Sequence, residues 1–129
     1  MRRVRLHLKK AAEKLKAAEV LLENDCLEDA ASRAYYAMFH AAKGYLYLYD
    51  EMPKTHRGIV SKMFELAKEK EELSEDELKE LANALRIRII SDYDIEMGLD
   101  KDEVIDILKG ATAFVKSINR IIDEKEMKR

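Results

Sequence analysis

The sequence has little of what a sheet protein, a disulfide-stabilised protein or a membrane protein requires. Its 129 residues include only four glycines and one proline, so it is poor in the residues that form tight turns between strands. The single cysteine, Cys26, cannot form an internal disulfide or a zinc site by itself. No apolar run approaches the length of a membrane span, and the charged N-terminus is unlike a signal peptide. We therefore expect a cytoplasmic protein.

Glutamine and tryptophan are absent and asparagine is scarce, whereas 39% of the residues are charged. Few thermolabile amides together with abundant lysine and glutamate are typical of heat-adapted proteins, which favours a thermophilic source. The formal net charge is only −2, so the molecule as a whole does not attract nucleic acid or an anionic membrane. Any contact with nucleic acid must therefore be local.

Apolar residues recur at three- and four-residue spacing along five segments, which predicts five helices. A chain of this length fits one domain, residues 1–129, and short connections make sequential helices antiparallel neighbours. The predicted fold class is therefore all-α, an up-and-down antiparallel helical bundle of about five helices. The helices are predicted at about residues 2–23, 27–49, 56–68, from Ser74 to an end at Gly98, and from Asp100 with an apolar face continuing to Ile122.

Four of these predicted helices begin at a residue that can cap free backbone amides. Three of the starts have an acidic residue three positions later, which is the pattern of a capping box. The predicted caps are Asp25 with Glu28, Thr55, Ser74 with Glu77, and Asp100 with Glu103.

The second predicted helix is rich in tyrosine and alanine, and it holds five of the six tyrosines. Small side chains beside large rings allow two helices to approach closely. These rings are therefore expected in the core or at an interface between two copies of the chain, where the phenol hydroxyl can remain in contact with water. Base stacking on an exposed ring is the alternative. The candidates for a homodimer interface are Tyr35, Tyr36 and Tyr45.

The fourth predicted helix carries polar residues where an apolar stripe would otherwise continue. Arg88 shares a helix face with Ser91 and Asp92, because they lie three and four residues away. Arg86 and Tyr93 are seven apart and lie along one line. A guanidinium here can bind a phosphate in a bidentate manner, with a hydroxyl and a phenol as further donors. The competing interpretation is an intrahelical Arg88–Asp92 ion pair of little energetic value.

The histidines, His7, His40 and His56, are too scattered in sequence for a local metal motif, so we expect no metal and no cofactor. His40 is expected to pack or bond within the second helix. His56 stands beside Arg57 and Gly58 at a predicted helix start, where free amides favour anions. A structural role in capping is the more common use of a residue in this position.

Three segments of the chain resemble one known family. Their order and spacing are those of HEPN domain proteins, and they are most similar to the small stand-alone prokaryotic branch whose fourth helix ends in an R-x-x-[AS]-D-Y pattern. The resemblance extends from about residue 5 to residue 120, and the three segments together are more specific than each alone. The segments are SRAYYAMFHAAK at 32–43, THRG at 55–58 and RIISDY at 88–93.

The resemblance implies a helical bundle that is commonly a homodimer and is often encoded beside a minimal nucleotidyltransferase, with which it acts as a toxin–antitoxin pair. Many HEPN proteins are metal-independent ribonucleases in which a His follows an Arg by five or six positions; the His assists proton transfer and the Arg stabilises charge on phosphorus. Neither Arg86 nor Arg88 has such a His. Those positions hold Ser91, Asp92, Tyr93 and Asp94.

We therefore expect a HEPN-type module that binds a nucleotide, RNA or a nucleotidyltransferase partner, rather than an active nuclease. One alternative is a metal-independent endoribonuclease, a toxin with a non-standard active site, to which His56 would have to come from another helix. The other is a purely structural helical dimer. The candidate binding residues are Arg86, Arg88, Ser91, Asp92, Tyr93 and His56.

Overall fold

The computed structural model describes residues 1–93 and 98–128, without the side chains of residues 89–93. Over these residues the chain forms five α-helices and no strand, which confirms the predicted all-α bundle. The predicted end of the fourth helix falls next to residues 94–97, which lie outside the described residues. The helices are α1 (Arg2–Glu23), α2 (Leu27–Leu48), α3 (His56–Lys70), α4 (Glu75–Tyr93) and α5 (Lys101–Met127).

Three of the four predicted caps are present. Thr55 Oγ1 accepts a hydrogen bond of 2.9 Å from a backbone amide in the first turn of α3. Ser74 and Glu77 cap α4 reciprocally, each side chain accepting a bond of 3.1 Å from the other's backbone amide. Asp100 and Glu103 form the same arrangement at the start of α5, with bonds of 2.8 and 3.4 Å. These boxes fix where the last two helices begin.

The predicted cap of α2 is wrong. This helix begins after Cys26, and no side chain caps it. Asp25 instead adopts a φ of 58°, a left-handed conformation in which aspartate is tolerated better than most residues. Its carboxylate lies 3.3 Å from Lys101 Nζ. Asp25 therefore forms part of the turn after α1 and contacts Lys101 of α5, and it does not cap the start of α2.

The central helix of the bundle is α2, which contacts each of the other four helices. It lies close to α1 at Gly44, where an added Cβ would lie 3.3 Å from the Val4 carbonyl oxygen. At the other side of α1, Arg5 lies 2.8 Å from Asp123 near the end of α5. Because the start of α1 meets the ends of both α2 and α5, it runs antiparallel to both. None of the helices over residues 1–93 and 98–128 is long and apolar enough to cross a membrane.

The tyrosines of α2 divide between the core and its edge. Tyr35 and Tyr45 are fully enclosed by the chain itself, each 0% exposed, whereas Tyr36 is partly exposed. This corrects the expectation that Tyr35 and Tyr45 face a second copy, because neither ring reaches a surface that another chain can contact. Both hydroxyls are satisfied internally, that of Tyr45 by donating to Glu72 Oε1 at 2.8 Å. The homodimer itself stays a prediction.

Candidate functional site

Arg88 reaches from α4 onto two tyrosine rings of α2. Its Nη2 donates a hydrogen bond of 2.7 Å to the hydroxyl of Tyr36. The guanidinium carbon lies 5.0 Å from the centroid of the Tyr36 ring and 5.5 Å from that of Tyr35. Both distances lie within the range of a cation–π interaction. Two helices therefore hold the orientation of this guanidinium.

His56, the first residue of α3, joins the same group of side chains. Its Nδ1 lies 2.7 Å from the hydroxyl oxygen of Tyr35, and its ring stacks on Phe39 with centroids 4.3 Å apart. Tyr36 contacts the imidazole edge-on at 6.0 Å. The Thr55 cap fixes the start of α3, so the backbone as well as the stacking places this ring. We call Arg88, Tyr35, Tyr36, His56 and Phe39 the Arg88 cluster.

The electrostatics of the cluster keep its histidine neutral. Burial, and then the charges of Arg88 and Lys43, lower the pKa of His56 below its usual value. Burial raises the pKa of Tyr35 to about 12, although Arg88 opposes the shift. At neutral pH a neutral imidazole therefore faces a protonated phenol. In the tautomer in which Nδ1 carries the proton, Nδ1–H donates a hydrogen bond to the hydroxyl oxygen of Tyr35. The lone pair of Nε2 is then available to accept a proton.

The structure separates the two arginines that the sequence grouped together. Arg86 is exposed, and its Nη2 donates to Asn83 Oδ1 at 2.8 Å on the same helix. It is not part of the Arg88 cluster, because residues two apart on a helix point in very different directions. The side chains of three other candidates lie outside the described residues, so their predicted pairing with the arginines stays a prediction. They are Ser91, Asp92 and Tyr93.

Four residues at the site were not among the predicted binding residues: Tyr35 and Tyr36 were named as dimer-interface candidates, and Phe39 and Lys43 were not named as candidates. Phe39 stacks on His56, and Lys43 Nζ lies 5.3 Å from the Phe39 ring centroid. Both belong to the face of α2 that carries Tyr35 and Tyr36, since Phe39 is four and three residues beyond them and Lys43 is four further on. The spacing alone places Phe39 and Lys43 on one face of α2 with the two tyrosines. It does not show that this is the face of α2 that packs against α3, so it could not assign them to the site.

A second histidine group lies beside this site. His40 was expected to pack or bond within α2, but its Nδ1 lies 3.2 Å from Nδ1 of His7 on α1, and the two rings stack. Burial, and then nearby positive charges that include Lys43, Lys14 and Lys10, lower the pKa of His40 to about 4. The pair packs α1 against α2 in its neutral form. Over the described part of the chain, no group of three or more His, Cys, Asp or Glu side chains is placed to hold a metal.

Residues 4–121 match the sequence profile of the HEPN domain. The chain belongs to the HEPN domain family. The family match covers the five helices except the first two residues of α1 and the last six of α5, so the Arg88 cluster is built entirely from residues within the HEPN match.

Three relatives of this HEPN chain are similar to it over most of their length. It is 37% identical to a UPF0332 protein of Archaeoglobus fulgidus over 96% of this chain and 98% of the relative. Two proteins of Methanocaldococcus jannaschii carry the name "putative toxin". One is 35% identical over 88% of this chain and 84% of the relative, and the other 30% identical over 93% and 82%.

Proposed function

We propose that this HEPN protein is a toxin-like module that binds single-stranded RNA through the Arg88 cluster. The observation that carries the proposal is the guanidinium of Arg88, which Tyr36 and Tyr35 orient beside the neutral His56. An oriented guanidinium matches a phosphate in geometry and charge, and aromatic faces beside it can stack on bases. The names of the two Methanocaldococcus relatives support the toxin-like role.

The distribution of charge supports the same surface. The chain has a net charge of −2, but three of its lysines, Lys10, Lys14 and Lys43, lie close enough to the histidines to affect their pKa values. Lys43 depresses the pKa of both His40 and His56, and Lys10 and Lys14 act on His40 as well. A locally positive face with exposed ring edges is what single-stranded nucleic acid requires of an otherwise acidic protein.

Binding of a short single-stranded RNA, followed by fluorescence anisotropy, tests the proposal. Arg88→Ala should weaken binding by about 1–3 kcal/mol, because a charge-assisted contact to phosphate is lost. The salt dependence of binding should also flatten, since one fewer phosphate is neutralised. Arg86→Ala is the matched control, two residues away on the same helix and outside the cluster, and it should lose less.

Folding must be separated from binding in this test, because Arg88 also packs on two rings. Circular dichroism and the melting temperature of each variant show whether the bundle is intact. Arg88→Lys keeps the charge but removes the planar fork, so it should bind RNA more weakly than the wild type while remaining folded. Unchanged affinity and salt slope in both alanine variants would contradict the assignment of the site.

A second candidate function is a metal-independent endoribonuclease, and the position of His56 favours it. No His follows Arg88 in the sequence. The imidazole of His56, which lies at the start of α3, is the one that the fold brings to the Arg88 cluster. Its Nε2 would accept the proton of a ribose 2′-hydroxyl as that oxygen attacks phosphorus, and Arg88 would stabilise the charge on the phosphoryl oxygens. The bond to the 5′-oxygen would break and that oxygen would take a proton from water, leaving a 2′,3′-cyclic phosphate and a 5′-hydroxyl.

An RNA cleavage assay in the presence of EDTA distinguishes the two candidates. We expect the purified protein without a partner to cleave little or no RNA, because the family's Arg-to-His spacing is missing. Cleavage that is lost in both His56→Gln and Arg88→Ala, and that survives in Arg86→Ala, would favour the nuclease instead.

We further propose that the module acts as a homodimer with a minimal nucleotidyltransferase partner, as the family membership implies. A small nucleotidyltransferase reading frame beside the gene and its co-purification with this chain from the native host would support the pairing. An isolated gene and a chain that purifies alone would count against it.

A further inference from the structure

A cleft of about 450 Å³ opens next to the Arg88 cluster, between the second half of α2 and the connection 49–55 that leads to α3. It shares the rings of Phe39 and His56 with the cluster. Its volume lies in the range of about 300–1,000 Å³ that is typical of small-molecule sites. A ligand bound in the cleft would therefore contact the same stacked rings that lie beside Arg88.

The lining of the cleft combines ring faces with positive charge. Tyr47 adds a third ring, and Met52 and Pro53 add apolar surface from the connection. Lys43 and Lys54 supply two ammonium groups, and Lys43 Nζ lies 5.3 Å from the Phe39 centroid. Aromatic ring faces together with two ammonium groups in the lining suit a ligand that has an aromatic ring and an attached anionic group.

The charges around the cleft also favour an anion. The single acidic residue in its lining, Glu51, lies 3.8 Å from Lys62 Nζ on α3, an ammonium that also contacts Glu65 at 3.5 Å. Burial is the largest cause that lowers the pKa of His7, His40 and His56, and the charge of Lys43 adds to the shift at all three. An anionic group at the mouth of the cleft meets a positive environment.

We propose that the cleft is a nucleobase subsite, which takes one base of the RNA whose backbone contacts Arg88. In this arrangement the base stacks against Phe39 or Tyr47, and Lys43 and Lys54 contact the adjoining phosphate. The inference rests on the proposed function for its RNA ligand. A free nucleotide has the same base and phosphate chemistry, and the test separates it from RNA.

The absence of tryptophan from the sequence permits a direct test. Met52 lines the cleft and is 58% exposed, so Met52→Trp places a single fluorophore there with little strain. Val20, 48% exposed on α1 and outside this cleft, gives the control Val20→Trp. AMP and a short single-stranded RNA should quench the Met52→Trp emission and leave Val20→Trp unchanged. Ribose 5-phosphate, which lacks the base, should not quench either one.

The introduced tryptophan could itself occupy the cleft and block AMP. Two further measurements therefore use proteins without this tryptophan. In the wild-type protein, which has only three histidines, the NMR signals of the His56 ring should shift when AMP is added. Replacing the stacking ring by Phe39→Leu should weaken AMP binding roughly 5- to 150-fold, the range expected for one lost base stack. Lys43→Ala should weaken it as well.

Failure of the subsite can be distinguished from failure of the RNA function. RNA binding that depends on Arg88, without quenching at Met52→Trp and without a His56 shift, overturns the subsite and leaves the proposed function in place. Quenching by AMP in a protein that does not bind RNA supports the subsite and overturns RNA as its ligand. If neither ligand binds, both proposals are wrong.

Discussion

The hydroxyl oxygen of Tyr35 lies 2.7 Å from Nδ1 of His56. Tyr35 is fully buried at the centre of the bundle, whereas His56 is the first residue of α3 and partly exposed. The bond therefore connects the rigid core with a residue at the edge of the cleft. A buried phenol that is protonated at neutral pH fixes the ring beside Arg88 without adding charge.

We expect Tyr35→Phe and Tyr36→Phe to have separable effects, because their hydroxyls serve different partners. Tyr35→Phe keeps the packed ring but removes the bond to His56, which should cost about 0.5–1.5 kcal/mol of unfolding free energy and alter the His56 tautomer signals in ¹⁵N NMR. Tyr36→Phe removes the acceptor of the Arg88 hydrogen bond, so it should weaken RNA binding and leave the His56 signals in place. Identical effects of both variants would show that the two bonds do not act separately.

Stability should fall as the pH is lowered from 7 to 5, in part because of His40. Its pKa in the fold is about 4, below the ordinary 6.5, so the unfolded chain binds the proton first. The contribution of neutral His40 to the free energy of unfolding is complete above about pH 6.5. It is lost as the pH falls towards the pKa of His40 in the folded protein. After allowance for solvent screening we expect a loss of about 1 kcal/mol at pH 5, measured by urea unfolding.

His40→Gln is the control for this pH dependence, since glutamine can still bond to His7 but does not titrate. Its unfolding free energy should change less between pH 7 and pH 5 than that of the wild type. An equal change in both proteins would assign the pH dependence to other groups.

Glu72 should matter more for stability than an ordinary surface carboxylate. Its Oε1 accepts hydrogen bonds from Tyr45 at 2.8 Å and Tyr49 at 2.5 Å, and its side chain is only 16% exposed. Glu72→Ala should cost about 2–3 kcal/mol, because it leaves the buried phenol of Tyr45 without its acceptor. Glu124→Ala, which breaks only an exposed pair with Arg120, should cost under about 0.5 kcal/mol. Similar losses in chemical denaturation would contradict this ranking.

We expect the protein to be a homodimer, with a mass in light scattering of about 30 kDa, twice the 15.0 kDa of one chain. Tyr45→Phe should leave this mass unchanged, because the ring is enclosed within its own chain. A mass of about 15 kDa at micromolar concentration would show a monomer instead.

Most of the fold was predictable from local pattern. Apolar spacing located all five helices, and the capping boxes of Ser74 with Glu77 and Asp100 with Glu103 located two helix starts, because a cap depends on residues within one turn. The failure at Asp25 has a tertiary cause. There the chain must reverse so that α2 can pack on α1, and a left-handed turn with a contact to Lys101 took the place of the cap.

The sequence by itself determined the all-α class, the identity of Arg88 and His56 as candidates, and the missing His that makes the site unusual for a HEPN domain. Only the tertiary structure decided that these two residues contact the same two tyrosines, that Arg86 lies apart, and that Tyr35 is buried and bonded to His56 instead of facing a second copy. The reason is physical. Helical periodicity fixes which side chains share a face, but the packing of α3 and α4 against α2 fixes which faces meet.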